Sequence, residues 1–157
     1  MNDETVFIHH SALTLIKREI LKAANNYETG GVLLGYISDS IVVIMHACSP
    51  GPNAIQKRLS IEIDTEYCQN FINQVFESSG GRYTYLGDWH SHTKNSLLYS
   101  QIDRWELYRL SKHRKSRAPF PLMMIVYGDL EIFRYRVYQM HRNDILLLTE
   151  QLLSSGL

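Results

Sequence analysis

The sequence predicts an α/β domain of three layers, in which a mostly antiparallel sheet lies between helices. Apolar residues recur with helical period in three segments, near the start, in the middle and in the later third of the chain. Short apolar runs bounded by turn residues fill the intervals and are typical of strands. The 157 residues suit a single domain spanning 1–157, which is long enough to bury a sizeable core.

The first third of the chain predicts a strand, a helix and a pair of strands. Residues 5–9 form the opening strand. The helix that follows has Ser11 as its N-cap and ends near Asn25 and Asn26, where turn-forming side chains replace the apolar stripe. Strands at 30–37 and 41–48 are joined by a polar turn and therefore pair antiparallel.

The middle of the chain begins with a break at 49–53, where proline and glycine end the preceding strand. Residues 54–58 are expected to be a polar loop and 59–63 a returning strand. Asp64 then caps a second helix. Its apolar stripe has the spacing of a core-facing surface and consists of Cys68, Phe71, Ile72, Val75 and Phe76.

The last part of the chain predicts a strand at 82–92, a loop at 93–99, and a helix that opens at Ser100 and runs to about His113. Three further strands follow at 119–127, 130–140 and 145–148, the first two of them joined as a hairpin. Residues 154–157 are expected to fray.

Composition excludes several classes of protein. The formal net charge is zero, so bulk charge gives no case for a nucleic-acid or membrane partner. Cys48 and Cys68 form no disulfide framework and are expected to be buried thiols. The N-terminal residues do not resemble a signal peptide, and a cytoplasmic location is the expectation. The basic run at 112–117 is either a solvated loop or a contact for an acidic partner.

Two histidines at the end of an apolar run are the strongest chemical signal. Side chains two apart in a strand point to the same face, so His90 and His92 can reach one metal ion while Trp89 and Ser91 point away. Asp103 can supply a third ligand. Two imidazoles and a carboxylate, with a fourth position open, form the ligand set of a catalytic zinc site.

Ser100 and Asp103 allow a second interpretation that is compatible with the first. A serine followed three residues later by an acidic residue is also a helix-capping pattern. A helix start is a rigid place to mount both a ligand and a hydroxyl group.

Glu28 stands just before the glycine pair Gly30 and Gly31. A single glutamate in this setting is either an exposed loop carboxylate or a functional group. The two glycines have no side chains, which lets either another backbone segment or a substrate approach closely.

Glu28 before Gly-Gly-Val-Leu-Leu-Gly, then His90-Ser-His92, then Ser100 and Asp103, together resemble the JAMM/MPN zinc metallopeptidases. The likeness covers roughly 28–103 and is greatest to small, stand-alone bacterial members. It implies a curved, mixed, mostly antiparallel sheet flanked by helices, of the cytidine-deaminase-like kind. It also implies that His90, His92 and Asp103 hold Zn²⁺ and that Glu28 and Ser100 are catalytic.

One position departs from the family pattern. Thr93 follows the second histidine, where the family usually has proline. Because Thr93 is not a ligand, the chemistry is expected to survive, with a loop at 93–99 of altered shape. The resemblance further implies that the region around 51–63 lies near the substrate cleft, although a plain surface loop is the alternative.

The implied reaction is hydrolysis of a peptide or isopeptide bond. Glu28 takes the proton of the attacking water and delivers it to the leaving amine, and the Ser100 hydroxyl stabilises the developing charge. The implied substrate is a protein. It is a ubiquitin-like protein or a conjugated nucleotidyltransferase cut after its C-terminus, as in the deconjugating peptidases of antiphage operons. The alternatives are trimming of a sulfur-carrier protein, a non-catalytic scaffold and a metal-only sensor.

Overall fold

The computed structural model describes residues 4–153, apart from the side chain of Ser116. The expected fraying of 154–157 lies outside them. Within the described part, the helices are α1 (His10–Ala23), α2 (Thr65–Ser78) and α3 (Gln101–Lys112), with a 3-10 turn at Arg114–Ser116. The strands are β1 (Thr5–His9), β2 (Gly30–Ser38), β3 (Ile41–Ala47), β4 (Ile55–Gln56), β5 (Ile61–Glu62), β6 (Thr84–Ser91), β7 (Leu122–Gly128), β8 (Phe133–His141), β9 (Asp144–Leu147) and β10 (Thr149–Leu153).

Eight strands form one mixed sheet in the order β10-β1-β3-β2-β6-β7-β8-β9. The pairs β10-β1, β1-β3 and β6-β7 are parallel, and the other neighbouring pairs are antiparallel. The sheet is strongly curled, because β9 and β10 at its two ends are separated in the chain by Leu148 alone. The amide of Leu148 donates to the carbonyl oxygen of Val137 in β8 at 2.9 Å.

Helices cover both faces of this sheet, as the predicted three-layer α/β class requires. Helix α1 packs its buried stripe, which includes Ile16 and Ile20, against a cluster that contains Leu33 and Trp89. On the opposite face, α2 packs against β2, and α3 contributes Leu107 to a cluster with strands β7 and β8. Burial of these apolar faces is the dominant favourable term in folding.

Several boundaries differ from the sequence prediction. Helix α1 begins at His10, so its N-cap is His9 and not Ser11. The His9 ring accepts the backbone N–H of Ser11 at 3.2 Å. This bond satisfies one of the amides that the first turn of a helix leaves without a partner. The helix ends in two residues of positive φ, Ala24 and Asn25, close to the predicted stop.

The segment after the first chain break is a small hairpin and not a polar loop with one strand. Strands β4 and β5 form a separate two-stranded sheet, in which Ile55 pairs with Glu62. The predicted core stripe of α2 is also only partly correct. Cys68 and Val75 are buried, but Phe76 is 47% exposed because it lies at the edge of the helix face that meets the sheet.

The later strands are shorter and more numerous than expected. Strand β8 begins at Phe133 because the Asp129 carboxylate accepts the amides of Glu131 and Ile132, at 2.8 and 2.9 Å, and prolongs the turn. Strand β10 was missed, since its sequence, TEQLL, is half polar. Cys48 and Cys68 are buried free thiols, as expected. No helix within residues 4–153 is long and apolar enough to cross a membrane.

Candidate metal centre

Strand β6 brings the two histidines to one face of the sheet. His90 lies in the strand, and the amide of His92, one residue past its end, continues the pairing to β7 by donating to the carbonyl oxygen of Val126 at 3.0 Å. Trp89 and Ser91 are buried on the other side, at 1% and 4% exposure. The alternation expected of a strand therefore holds through the motif.

Asp103 joins the two histidines from the first turn of α3. The Nε2 atoms of His90 and His92 are 3.2 Å apart. Each lies 3.3 Å from an oxygen of Asp103, Oδ1 for His90 and Oδ2 for His92. These are the residues of the described chain whose ligand atoms cluster within 4.8 Å in a way that suits a metal ion.

The donor types and the close spacing of the cluster suit a zinc ion. Ligand atoms at about 2.0–2.1 Å from a tetrahedral ion are separated from one another by roughly 3.3 Å. The two histidine Nε2 atoms, 3.2 Å apart, match this spacing, and each lies 3.3 Å from a different oxygen of Asp103. Two imidazole nitrogens and a carboxylate oxygen are also the donor types that zinc accepts. The residues present therefore fit a zinc ion.

Two groups around the cluster orient its members. His92 donates from Nδ1 to the carbonyl oxygen of Ser96 at 2.8 Å, so the neutral form of the ring would present its Nε2 lone pair to a metal. Ser100 and Asp103 form a complete capping box: the Ser100 amide donates to Oδ2 at 2.8 Å, and the Ser100 hydroxyl oxygen accepts the Asp103 amide at 3.0 Å. The cap and the cluster thus share one carboxylate.

The cluster is electrostatically coupled. Desolvation opposes ionisation of Asp103, but hydrogen bonds from His90 and His92 outweigh it and hold the pKa of the carboxyl well below its usual range. Burial acts to lower the pKa of His92, yet its bonds to Asp103 and Ser96 raise the pKa overall. Asp103 is therefore ionised at neutral pH, as a ligand must be.

Glu28 lies at the edge of this cluster. Its amide donates to the carbonyl oxygen of Lys57 at 2.7 Å, and the Gln56 side chain donates to its carbonyl oxygen at 3.4 Å. Desolvation raises the pKa of the half-buried Glu28 carboxyl, while the charges of His90 and His92 partly lower it. The β4–β5 hairpin therefore holds the backbone of Glu28 while its carboxyl lies within the field of the two histidines.

The glycine pair serves packing of the chain against itself. A Cβ atom on Gly31 would lie 2.0 Å from the Cys48 carbonyl oxygen, and one on Gly30 would lie 2.5 Å from the Trp89 carbonyl oxygen. Of the two alternatives that the sequence left open, another backbone segment and not a substrate occupies the space on this side of the glycines. That close approach lets the Trp89 indole donate to the Cys48 carbonyl oxygen at 2.9 Å.

Thr93, at the position of the family proline, links the loop 93–99, which follows the two histidines, to the β4–β5 hairpin. Its hydroxyl donates to the carbonyl oxygen of Arg58 at 3.2 Å, a contact that proline cannot make. The loop is further fixed by Leu97, which is buried and whose carbonyl oxygen accepts the Tyr138 hydroxyl at 2.7 Å. The loop is accordingly anchored at both ends.

Two acidic residues beside the cluster were not singled out from the sequence. Asp88 and Glu106 line a small cavity of about 50 Å³ that His90 and Asp103 also border. Burial raises the pKa of Asp88 to about 6, although a 2.7 Å hydrogen bond from the Tyr85 hydroxyl lowers it in part. Their positions, two before a histidine ligand and three after the aspartate on a helix, were the available signal.

The described residues form an α/β domain in which helices cover both faces of a curled mixed sheet. Its candidate metal centre lies where the strand that carries His90 meets the first turn of the helix that carries Asp103. The chain belongs to the family described as prokaryotic homologs of the JAB domain, whose pattern matches residues 10–139. The resemblance to the bacterial JAMM/MPN group is thereby confirmed.

Relatives of similar size carry informative names. A probable metalloprotease of Sinorhizobium fredii is 37% identical over 71% of this chain and 71% of its own length. A CD-NTase/cGAS isopeptidase of Escherichia coli is 27% identical over 89% of this chain and 90% of its own, and one of Pseudomonas aeruginosa is 28% identical over 75% and 76%. These names support a peptidase or isopeptidase activity.

A solved structure shares the fold. The solution structure of a protein from Desulfitobacterium hafniense superposes with a TM-score of 0.71 at 14% identity, and the match covers 96% of this chain and 94% of that one. At this identity the likeness concerns the fold alone. It agrees with the predicted three-layer class and its curled mixed sheet.

Proposed function

We propose that the protein is a zinc-dependent isopeptidase or peptidase. The observation that carries the proposal is the cluster of His90, His92 and Asp103, in which each histidine Nε2 lies 3.3 Å from an Asp103 oxygen and the two Nε2 atoms lie 3.2 Å apart, with a partly buried glutamate beside it. His90, His92 and Asp103 would hold the ion. Zinc in such a site supplies a Lewis acid and lowers the pKa of water to about 7.

Glu28 is the proposed general base and acid. Its carboxyl accepts the proton of the attacking water and returns it to the leaving amine. A raised pKa favours this role, because proton transfer is most efficient when the pKa of the group approaches the working pH. The hairpin holds the Glu28 backbone in place through Lys57.

Ser100 is the proposed stabiliser of negative charge on the scissile carbonyl oxygen. Its Oγ accepts the Asp103 amide, which occupies an oxygen lone pair and not the hydroxyl proton. The proton can therefore be donated to an oxyanion. Capping fixes the position of Oγ before the reaction begins, so only rotation of the O–H bond is needed to donate to the oxyanion.

The proposed substrate is a protein joined to another through its C-terminus. Relatives named CD-NTase/cGAS isopeptidase match three quarters or more of this chain in two organisms. By analogy with their names, the bond cut here follows the C-terminal residue of a conjugated nucleotidyltransferase or a ubiquitin-like protein. Deconjugation in antiphage defence is the role that this substrate implies.

Metal analysis and a cleavage assay test the proposal together. We expect about one zinc per purified chain, and loss of zinc in His90→Ala and Asp103→Ala. A fusion that carries the modifier's C-terminal tail before a second protein should be cut at a single site, as intact mass would reveal. Chelation should stop the cut and zinc should restore it. Equal zinc in all three proteins, or a cut that ignores the chelator, would contradict the proposal.

A further inference from the structure

A cleft of about 770 Å³ opens between α2 and the end of α3, above strand β6. Its α2 side presents the apolar side chains of Ile72 and Phe76, with Ile63 just before the helix, beside the polar side chains of Thr65, Gln69 and Asn73. Its other side, beyond α3, carries Lys115 and Arg117. None of these side chains has a role in the chemistry assigned above.

The cleft adjoins the small cavity beside the candidate metal centre. Asp88 and Leu110 line both the cleft and the small cavity that His90 and Asp103 border. Asp88 borders both spaces, and its Oδ1 already accepts the Tyr85 hydroxyl. One end of a chain segment that lies in the cleft would therefore be next to the cavity that the candidate zinc ligands border.

The charge of the cleft is one-sided. Asp88 is the acidic side chain among the described residues that line it, whereas Lys115 and Arg117 are basic. Lys115 and Arg117 make no ion pair with a carboxylate in the part of the chain that the structure describes. The region 101–117 contains six Lys or Arg and two acidic residues, although the whole chain has 16 of each sign. Negative charge on an occupant would be stabilised here.

The geometry sets the position of that negative charge. Lys112 ends α3 nine positions after Asp103, a distance of roughly 13 Å along the helix axis at about 1.5 Å per residue. An extended peptide covers this length with about four residues. Lys115 and Arg117 follow directly, so they would meet a side chain about four residues from the scissile bond.

We propose that this cleft binds the acyl-side segment of the substrate and selects one with apolar side chains and a carboxylate about four residues before the cut. The inference rests on the proposed peptidase or isopeptidase function. In an isopeptide bond the leaving amine belongs to a lysine side chain, whereas the acyl side is always a peptide. The extended occupant of a long cleft is therefore the acyl-side segment.

Peptide binding tests the cleft without requiring turnover. The protein is the full-length, zinc-loaded Glu28→Ala variant, and the probes are short acetylated peptides with apolar residues and a C-terminal glycine amide. One peptide has glutamate about four residues from its end, and its partner has lysine there. Fluorescence anisotropy should show the glutamate peptide bound more tightly by about three- to tenfold, with the difference shrinking at high salt.

Matched charge variants localise the effect. Arg117→Glu should abolish or invert the preference for the glutamate peptide, and Lys115→Gln should reduce it. Arg18→Glu makes the same change on exposed α1, on the other face of the sheet, and should leave the preference intact. If Arg117→Glu unfolds, Lys115→Gln still decides the matter. Equal binding of both peptides, or an unchanged preference in the cleft variants, would overturn the proposal.

Two further outcomes separate this inference from the function on which it rests. If the enzyme cuts its fusion with chelator sensitivity but the glutamate preference is absent, the cleft proposal fails alone. If no metal-dependent cut occurs yet the preference follows Arg117, the cleft is a binding site and the proposed catalysis fails. A short single-stranded DNA oligonucleotide that displaces the glutamate peptide and binds more tightly would assign the basic wall to nucleic acid and overturn the peptide assignment.

Discussion

His90, His92 and Asp103 show how much chemistry a few side chains can specify. The two histidines share a face because a strand alternates, and their Nε2 atoms lie 3.2 Å apart. Asp103 reaches them because it sits in the first turn of a helix that starts beside the strand. Glu28 differs, since no local periodicity places it; the contact of its backbone with Lys57 does.

Replacing Glu28 separates a proton carrier from a ligand. We expect Glu28→Ala to retain zinc and the fold and to lose roughly 10²–10⁴-fold in turnover, the usual contribution of general acid–base catalysis. Turnover is measured on a fusion substrate, and zinc by elemental analysis of the same sample. Loss of zinc from Glu28→Ala would identify Glu28 as a ligand and reject the assigned role.

At the scale of the element, the start of α3 combines two tasks. The capping box satisfies amides that the first turn of any helix leaves free, and it fixes the Asp103 carboxylate for the histidines. The loop before it is anchored to the β4–β5 hairpin by Thr93 and to the core by Leu97. The positions of the candidate ligands therefore depend on contacts between neighbouring elements as well as on their own spacing.

Substitutions of Ser100 separate capping from chemistry. Ser100→Ala should lower the free energy of unfolding by about 1 kcal/mol, because an N-cap is lost, and lower turnover by roughly 10²-fold, because an oxyanion donor is lost. Ser100→Thr keeps the hydroxyl and should keep both properties. Ser100→Asp keeps a capping oxygen and should restore stability but not turnover, because an ionised carboxylate has no proton to donate to an oxyanion. If Ser100→Asp were fully active, the hydroxyl would have no catalytic part; urea unfolding and steady-state kinetics give the two readouts.

Thr93 allows a test of the link between the loop 93–99 and the hairpin. Thr93→Val removes the hydroxyl that donates to Arg58, a bond of about 0.5–1.5 kcal/mol. Amide hydrogen exchange in β4 and β5 should therefore quicken by roughly two- to tenfold. Thr93→Ser retains the hydroxyl and should exchange like the wild type. Identical exchange in the valine variant would mean that the hairpin is held by other contacts.

For the whole molecule, closure of the sheet is the feature that joins the two ends of the described chain. Strand β10 pairs in parallel with β1, while β9 pairs with β8 at the other end of the strand order. Leu148 lies between them, is 4% exposed and packs in the cluster that also contains Ile16 and Trp89. The packing of the core against β6, the strand that carries His90, therefore depends on the position of β9 and β10.

Leu148→Ala should destabilise the protein by about 2–5 kcal/mol, because it leaves a cavity where both ends of the sheet meet. The adjacent Leu147 is 57% exposed, so Leu147→Ala is a matched control with an expected loss of about 0.5 kcal/mol or less. Urea unfolding monitored by Trp fluorescence measures both. Similar stabilities for the two variants would show that the closure contributes little.

The three-layer class, the family, most element positions and the face shared by the two histidines follow from the sequence. Each depends on local information: a period of two or 3.6 residues, a turn signal, or a motif of fixed spacing. The errors at the ends of elements also have local causes, such as the His9 ring that replaces Ser11 as the cap.

The tertiary structure alone decided the rest. Backbone occupies the space beside Gly30 and Gly31. Asp88 and Glu106 line the small cavity that His90 and Asp103 border. The mostly polar segment of β10 pairs with β1 at the edge of the sheet. The tertiary structure also set the basic residues after α3 against the apolar edge of α2. These features depend on contacts between residues distant in the chain, and no periodicity within a single segment records which distant segment will pack against it.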